Sequence, residues 1–345
     1  MKYTKLPNTS LEVSKICLGT MTYGRQNTEA EGHAQLNLAL DKGVNFIDTA
    51  EMYAVPYTDE TQGRTEQIIG SWLKNTGNRD KIVLGSKIVG PSPTFTAIRD
   101  PLDFSATAID DALHKSLSRL QTDYLDLYQL HWPERSVNIF GKRDYDYNNN
   151  GQWEDNIALL LERLEAHVKA GKIRYIGVSN ETPFGLMRYM EEHRGGKLKM
   201  VSTQNCYNLL QRRDEIALTE VLQMENVGYL SYSPLAFGVL SGKYLDGNKP
   251  TGARVTEFPN YSRYSSKSSL LATEKYSEIA KANGLSLPQM ALAFVNERPF
   301  VTSNIIGATS LEQLNENIES VNVSLSEEVI SSIEKVHAEM PNPAP

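Results

Sequence analysis

Between residues 15 and 308 the chain repeats one local pattern: a short apolar run, a turn, then a longer stretch with apolar residues at helical spacing. The runs are KICLGT (15–20), VNFID (44–48), KIVLGSK (81–87), YLDLYQLH (124–131), KIRYIGVSN (172–180), KMVSTQN (199–205), VGYLSYSP (227–234) and SNIIGA (303–308). Most carry apolar residues on both faces, as strands covered on both sides do. The helical stretches between them run 28–42, 65–74, 105–120, 157–170, 184–192, 215–225 and 270–283, several stopped by a glycine such as Gly43, Gly171 or Gly284. Strands that alternate with helices imply right-handed crossovers and a parallel sheet. Eight such units in 345 residues predict a closed (β/α)8 barrel, an α/β fold of the TIM type.

An open, doubly wound sheet is the rival arrangement. It would be favoured by a G-x-G-x-x-G turn after the first strand, and the sequence there is GTMTYG, without the middle glycine. Residues 3–6 and 11–13 flank Pro-Asn-Thr-Ser and predict an N-terminal β-hairpin ahead of the barrel. Two further helices are expected at the C-terminus, beginning near Ser310 and Ser326. No composition break marks a domain boundary, so residues 1–345 are expected to form one barrel domain. Three long irregular segments, 89–104, 133–153 and 243–269, all follow strands. They therefore belong to the C-terminal face of a barrel, where loops of this length shape a substrate pocket.

Four of the runs end on polar side chains. VNFID ends on Asp48 with Tyr53 five residues on, KIVLGSK ends on Lys87, YLDLYQLH ends on His131, and KIRYIGVSN ends on Ser179 and Asn180. Taken singly, each has an ordinary structural explanation. Delivered together by neighbouring strands, they form one constellation of titratable groups on a rigid frame. A phenol titrates near 10, too high for an effective acid at neutral pH, and a nearby ammonium stabilises phenolate. Lys87 is therefore expected to lower the Tyr53 pKa, with Asp48 holding Lys87 charged and His131 polarising a carbonyl oxygen. Such equipment protonates an oxygen as charge develops on it, which is what nicotinamide-dependent carbonyl reduction requires.

Other chemistries fit the sequence less well. HExxH, a His-x-His after the first strand and close Cys/His clusters are all missing, so no metal site is expected. G-x-S-x-G is missing too, against a serine hydrolase. Asp123 and Asp126 alternate with apolar residues and read as structural. The net charge of −7 argues against nucleic-acid or anionic-membrane partners, and no apolar stretch approaches the roughly 20 residues of a membrane span. The N-terminus lacks an apolar signal core, and Cys17 and Cys206 both lie in apolar runs. Buried thiols of this kind fit a cytoplasmic protein.

Longer motifs carry a resemblance. L-G-T-M at 18–21, F-I-D-T-A at 46–50, S-K at 86–87 and L-x-T-D-Y-L-D-L-Y-Q-L-H-W-P at 120–133 occur in this order. They are followed by G-K-I-R-Y-I-G-V-S-N at 171–180, Q-N-x-Y-N at 204–208 and Y-S-P-L-A-x-G-x-L-S-G-K-Y at 232–244. The set resembles the aldo-keto reductases along nearly the whole chain. The resemblance implies a barrel that binds NADPH in extended form, with Tyr53 as general acid among Asp48, Lys87 and His131. It places Thr20, Met21 and Asp48 near the cofactor, Ser179, Asn180 and Gln204 on the nicotinamide carboxamide, and the Tyr232 ring on the nicotinamide face. Ser233, Pro234, Leu235, Gly238, Lys243 and Arg254 would follow the pyrophosphate, and Gly307, Thr309, Gln313, Glu316 and Asn317 the adenosine end. An aromatic ring suits a flat heterocycle, and two cations suit phosphates, on physical grounds alone. One departure stands out. Where many members carry P-K-S followed by Arg for the 2′-phosphate, this chain has Ile306, Gly307, Ala308 and Gln313. One branch of the family carries a similar pattern, so NADPH remains the expectation, with Arg254 as the candidate for the missing charge.

The leading expectation is an NADPH-dependent reductase of small aldehydes or ketones. An NADPH-binding sensor that reports redox state to a protein partner is the alternative, although sensing alone does not need a proton donor. A barrel lyase using Lys87 as a Schiff base would need an uncharged lysine, which Asp48 opposes. The substrate is set by loops whose aromatic residues, Trp132, Tyr145, Tyr147 and Trp153, either line a pocket or pack among themselves.

Overall fold

A computed structural model describes residues 1–148 and 153–344, so residues 149–152 of the expected substrate loop lie outside the described residues. Strands β1 (Tyr3–Lys5) and β2 (Glu12–Ser14) form the antiparallel hairpin. Then come β3 (Ile16–Gly19), α1 (Glu29–Asp41), β4 (Phe46–Asp48), α2 (Arg64–Thr76), β5 (Val83–Ile88), α3 (Ala106–Leu120) and β6 (Leu125–Leu130). The alternation continues through α4 (Ile157–Lys169), β7 (Ile173–Ser179), α5 (Pro183–Arg194), β8 (Met200–Cys206), α6 (Leu218–Glu225) and β9 (Gly228–Tyr232). After β9 the chain forms α7 (Arg254–Glu257), α8 (Lys267–Ala282), α9 (Leu287–Asn296), β10 (Val301–Ile306), α10 (Leu311–Glu319) and α11 (Glu327–Glu339). Strands β3 to β10 close into a parallel barrel in the order β10-β3-β4-β5-β6-β7-β8-β9.

Local sequence explains most boundaries. Thr28 caps α1 through a reciprocal box with Glu31, while Ser105, Thr182, Ser286, Ser310 and Ser326 each accept a backbone N–H at the start of a helix. Gly77 ends α2 at φ +65°, a conformation open to glycine. Two expectations need correction. Helix α6 starts at Leu218 and not at residue 215, because Arg213–Glu215 form a 3-10 turn and Ala217 breaks the helical path at φ −142°. Helix α9 was not anticipated: Met290 to Asn296 are all buried, so no polar face reveals the helical period.

Two packed regions position the site. Between barrel and helices lies the main core, which includes Ile47, Leu84, Tyr128 and Val178 from the outer faces of the strands. Inside the barrel, Cys17, Phe46, Val83, Leu127, Val201, Leu230 and Ile305 meet Leu6, Leu11 and Val13 of the hairpin segment, which closes the N-terminal end. Strand side chains alternate in direction, so two residues beyond Phe46 stands Asp48, and two and four beyond Leu127 stand Gln129 and His131. The apolar plug thus gives way, one layer up, to polar groups.

Candidate functional site

That polar layer is built on one ion pair. In register, Asp48 lies beside Gly85 and Lys87 beside Gln129. Lys87 Nζ donates to Asp48 Oδ2 at 2.6 Å and to the Thr49 carbonyl at 2.7 Å. The other carboxylate oxygen, Oδ1, accepts from Gln204 Nε2 at 2.9 Å and Gln129 Nε2 at 3.3 Å. Both charged side chains are almost fully buried, at 0% and 4% exposure. A buried pair persists only when its remaining donors and acceptors are satisfied, and here Gln129, Gln204 and the Thr49 carbonyl supply partners. Gln129 had not been singled out from the sequence. Its position two residues before His131 was the available signal, since both share the interior face.

Above the pair sit the two groups with unmet capacity. The Tyr53 and His131 rings meet edge to face with centroids 5.7 Å apart, and Lys87 Nζ lies 5.2 Å from the Tyr53 ring centre. Burial, and then the charge of Lys87, hold the His131 pKa well below its ordinary value, so the imidazole is neutral near pH 7. Its Nδ1 is buried without a partner among the described residues. The expected lowering of the Tyr53 pKa is not what this geometry produces. Burial raises it far above its ordinary value, the Asp48 charge raises it further, and Arg254 opposes. Burial is the main cause, and Lys87, held in direct contact with Asp48, does not offset it.

Tyr53 and His131 open into a cavity of about 1620 Å³ on the C-terminal face, bordered by all three long loops. Every residue assigned above to the cofactor lies on its wall: Thr20, Met21, Asp48, Ser179, Asn180, Gln204, Tyr232, Ser233, Pro234, Leu235, Gly238, Lys243, Arg254, Gly307, Thr309, Gln313, Glu316 and Asn317. Lys87 is set behind Asp48, fully buried. Trp132 and Trp153 line the cavity, whereas Tyr145 and Tyr147 pack on each other at 5.4 Å and are exposed. Asn180, at φ +54°, accepts from the Tyr232 hydroxyl at 2.6 Å and donates to the His131 carbonyl at 2.9 Å. Ser179 Oγ donates to the Gln204 carbonyl at 2.8 Å. Strands β7, β8 and β9 are thereby stitched together at their upper ends.

The segment after β9 supplies the positive charge. Gly238 adopts φ +88°, a conformation that favours glycine, and the Lys243 side chain passes directly over it. Arg254 stands 5.3 Å over the Phe237 ring. Neither cation has a carboxylate within 4.0 Å among the described residues. Burial, and then the neighbouring Arg254 charge, lower the Lys243 pKa, and burial lowers that of Arg254. Unpaired, mutually repelling cations in a cavity wall are the electrostatic counterpart of a bound anion. A phosphate-bearing cofactor fits this wall.

Residues 15–338 match the Aldo/keto reductase family. The chain belongs to the aldo/keto reductase family. It is 50% identical over 349 residues to Protein tas of Escherichia coli, covering all of both chains. It is 33% identical to the uncharacterized oxidoreductase YrpG of Bacillus subtilis, with 97% of this chain and 96% of the relative covered. A probable voltage-gated potassium channel subunit beta of Oryza sativa is 30% identical, with coverage of 97% and 96%. Enzymes of the family reduce carbonyl compounds and generally use NAD(P)H. Buried Asp126, held by Arg79 and Arg174 at 2.8 Å each, is structural as expected. Among the described residues no helix is long and apolar enough to cross a membrane, and no group of three or more His, Cys, Asp or Glu is placed to hold a metal.

Proposed function

We propose that the protein is an NADPH-dependent reductase of aldehydes or ketones, with Tyr53 as the general acid. The observation that carries this reading is the pairing of a protonated phenol with a neutral imidazole at the floor of a cation-lined cavity. Bound NADPH would supply the hydride. The residues of the chain do the rest. Tyr232 offers a flat face for a nicotinamide ring, while Ser179, Asn180 and Gln204 offer donors and acceptors for its carboxamide. Lys243 and Arg254 receive phosphates, and Gly307, Thr309, Gln313, Glu316 and Asn317 border the adenosine end. His131 donates one N–H to the substrate oxygen and so sets its position.

The phenol of Tyr53 then gives its proton to that oxygen as negative charge accumulates there. The raised pKa keeps the phenol protonated at physiological pH but makes it a weaker acid than a free tyrosine; the transfer is driven by the alkoxide that forms, which is more basic than a phenolate. The Asp48–Lys87 pair does not need to ionise the phenol. It holds a compact, neutral floor beneath it. The two buried thiols, Cys17 and Cys206, suit the cytoplasmic location we propose.

The test is NADPH oxidation by wild type and Tyr53→Phe across a panel of aldehydes and ketones. Loss of the donor is expected to lower turnover by about 10²–10⁴-fold, with NADPH affinity changed by no more than a few fold. A mutant that keeps most of its rate removes Tyr53 from the role. Tight NADPH binding by a wild type that turns over no carbonyl would favour the sensing alternative, toward which the channel-subunit name of the rice relative points.

A further inference from the structure

One basic residue of the cavity wall has no part in the scheme above. Arg263 lines both the main cavity and a neighbouring chamber of about 240 Å³. No carboxylate lies within 4.0 Å of its guanidinium among the described residues, and its Nε is buried without a partner. Other basic groups on the wall are accounted for. Arg135 is paired with Glu181, Lys142 is exposed, and Lys243 and Arg254 stand on the proposed phosphate path.

The surroundings of Arg263 are aromatic. Its guanidinium carbon lies 5.5 Å from the Phe140 ring centre, 5.6 Å from Phe237 and 5.8 Å from Tyr264. Ring faces compensate a desolvated cation only in part, and the Tyr232 and Tyr264 hydroxyls beside it, being neutral acceptors, leave its charge unmatched and part of its five N–H donors free. From Phe140 the aromatic contacts run back to the reacting centre. Phe140 meets Trp132 at 5.7 Å, and Trp132 meets His131 at 5.0 Å. A continuous apolar wall thus joins the proton-donating end of the cavity to an unpaired guanidinium. A flat substrate body lying on that wall would carry its carbonyl at His131 and Tyr53 and its far end at Arg263.

We infer that Arg263 binds a carboxylate on the substrate, so that the protein selects carbonyl compounds with a flat apolar body and an acidic far end. A guanidinium fork matches a carboxylate in both charge and shape. The carbonyl part of this inference rests on the reductase reading, whereas the anion site does not.

The experiment compares 4-carboxybenzaldehyde and 4′-formylbiphenyl-4-carboxylate with their methyl esters, two lengths being used to bracket the span. Wild type is expected to favour at least one acid over its ester by about 10-fold or more in kcat/KM, mostly through KM. In Arg263→Met the acid-to-ester ratio falls to near one, and in Arg263→Lys part of it survives. A second measurement needs no turnover: binding of terephthalate and biphenyl-4,4′-dicarboxylate to the NADP-loaded protein, expected in wild type and lost in Arg263→Met. Esters reduced as well as acids, with no Arg263-dependent diacid binding, would overturn the inference and leave the reductase reading intact. Arg263-dependent diacid binding without reduction of any carbonyl would keep the anion site and remove the reductase reading. If Arg263→Met instead weakens NADPH binding, the residue belongs to the cofactor path and the inference fails.

Discussion

The floor of the cavity and its cationic rim solve opposite electrostatic problems. On the floor, Asp48, Lys87, Gln129 and Gln204 come from four different strands, and the carboxylate and ammonium are matched by one another, by two amides and by a backbone carbonyl. On the rim, Lys243, Arg254 and Arg263 come from the one segment between β9 and α8, and among the described residues no carboxylate lies within 4.0 Å of any of them. The floor is complete before any ligand arrives. The rim is complete only when anions do. A substitution on the floor should therefore be felt first in folding, and one on the rim first in binding.

The largest effect that separates the two regions is expected from Lys87→Met. It strands the Asp48 carboxylate in the barrel interior, and breaking a buried pair in this way costs about 3–5 kcal/mol of stability. Adding Asp48→Asn removes the orphaned charge and should return a large part of that loss without returning turnover. Denaturant midpoints of the single and double variants read this directly. A single variant as stable as wild type would mean that the pair is solvated in solution, and the contrast with the rim would collapse.

The rim answers differently. Lys243→Ala or Arg254→Ala should weaken NADPH binding by about 10-fold, since each removes a charge-assisted contact worth roughly 1.5–3 kcal/mol before screening. The affinity should also fall less steeply with added salt than in wild type. Stability should hold or rise slightly, because Lys243 and Arg254 repel one another when no anion separates them. Cofactor titrations at several ionic strengths decide the matter: an affinity indifferent to both charge and salt would place the phosphates elsewhere.

The same contrast explains what could be read before the structure was known. Strand ends are legible because a barrel strand is a short apolar run, and its last residue points where the strand points. Asp48, Lys87 and His131 stand at such ends, and the closed barrel followed from eight alternating strand–helix units. Helix α9 was missed because burial all round erases the helical period. The direction of the Tyr53 pKa was misread because burial sets it first and the Asp48 charge adds to it, and depth of burial is a matter spacing does not encode. Arg263 was invisible for a related reason. An arginine in a polar loop looks like solvated surface until its neighbours prove to be Phe140, Phe237 and Tyr264.

The smallest expected effect tests His131, which belongs to neither region fully. Its ring is buried and neutral, and its pKa in the fold lies well below the value of about 6.5 that it regains on unfolding. Below that pH the unfolded chain therefore binds a proton that the folded chain refuses, and stability falls as pH falls. The loss attributable to this one group grows as pH falls below about 6.5, on the order of 1 kcal/mol one pH unit below it, and vanishes above about pH 7.5. His131→Gln, which cannot titrate, should show a correspondingly shallower decline, so the wild-type and variant stability curves converge toward acid. Parallel curves would mean that the folded protein accepts the proton. In that case His131 would join the cations of the rim, and the neutral donor assumed for the substrate oxygen would have to be given up.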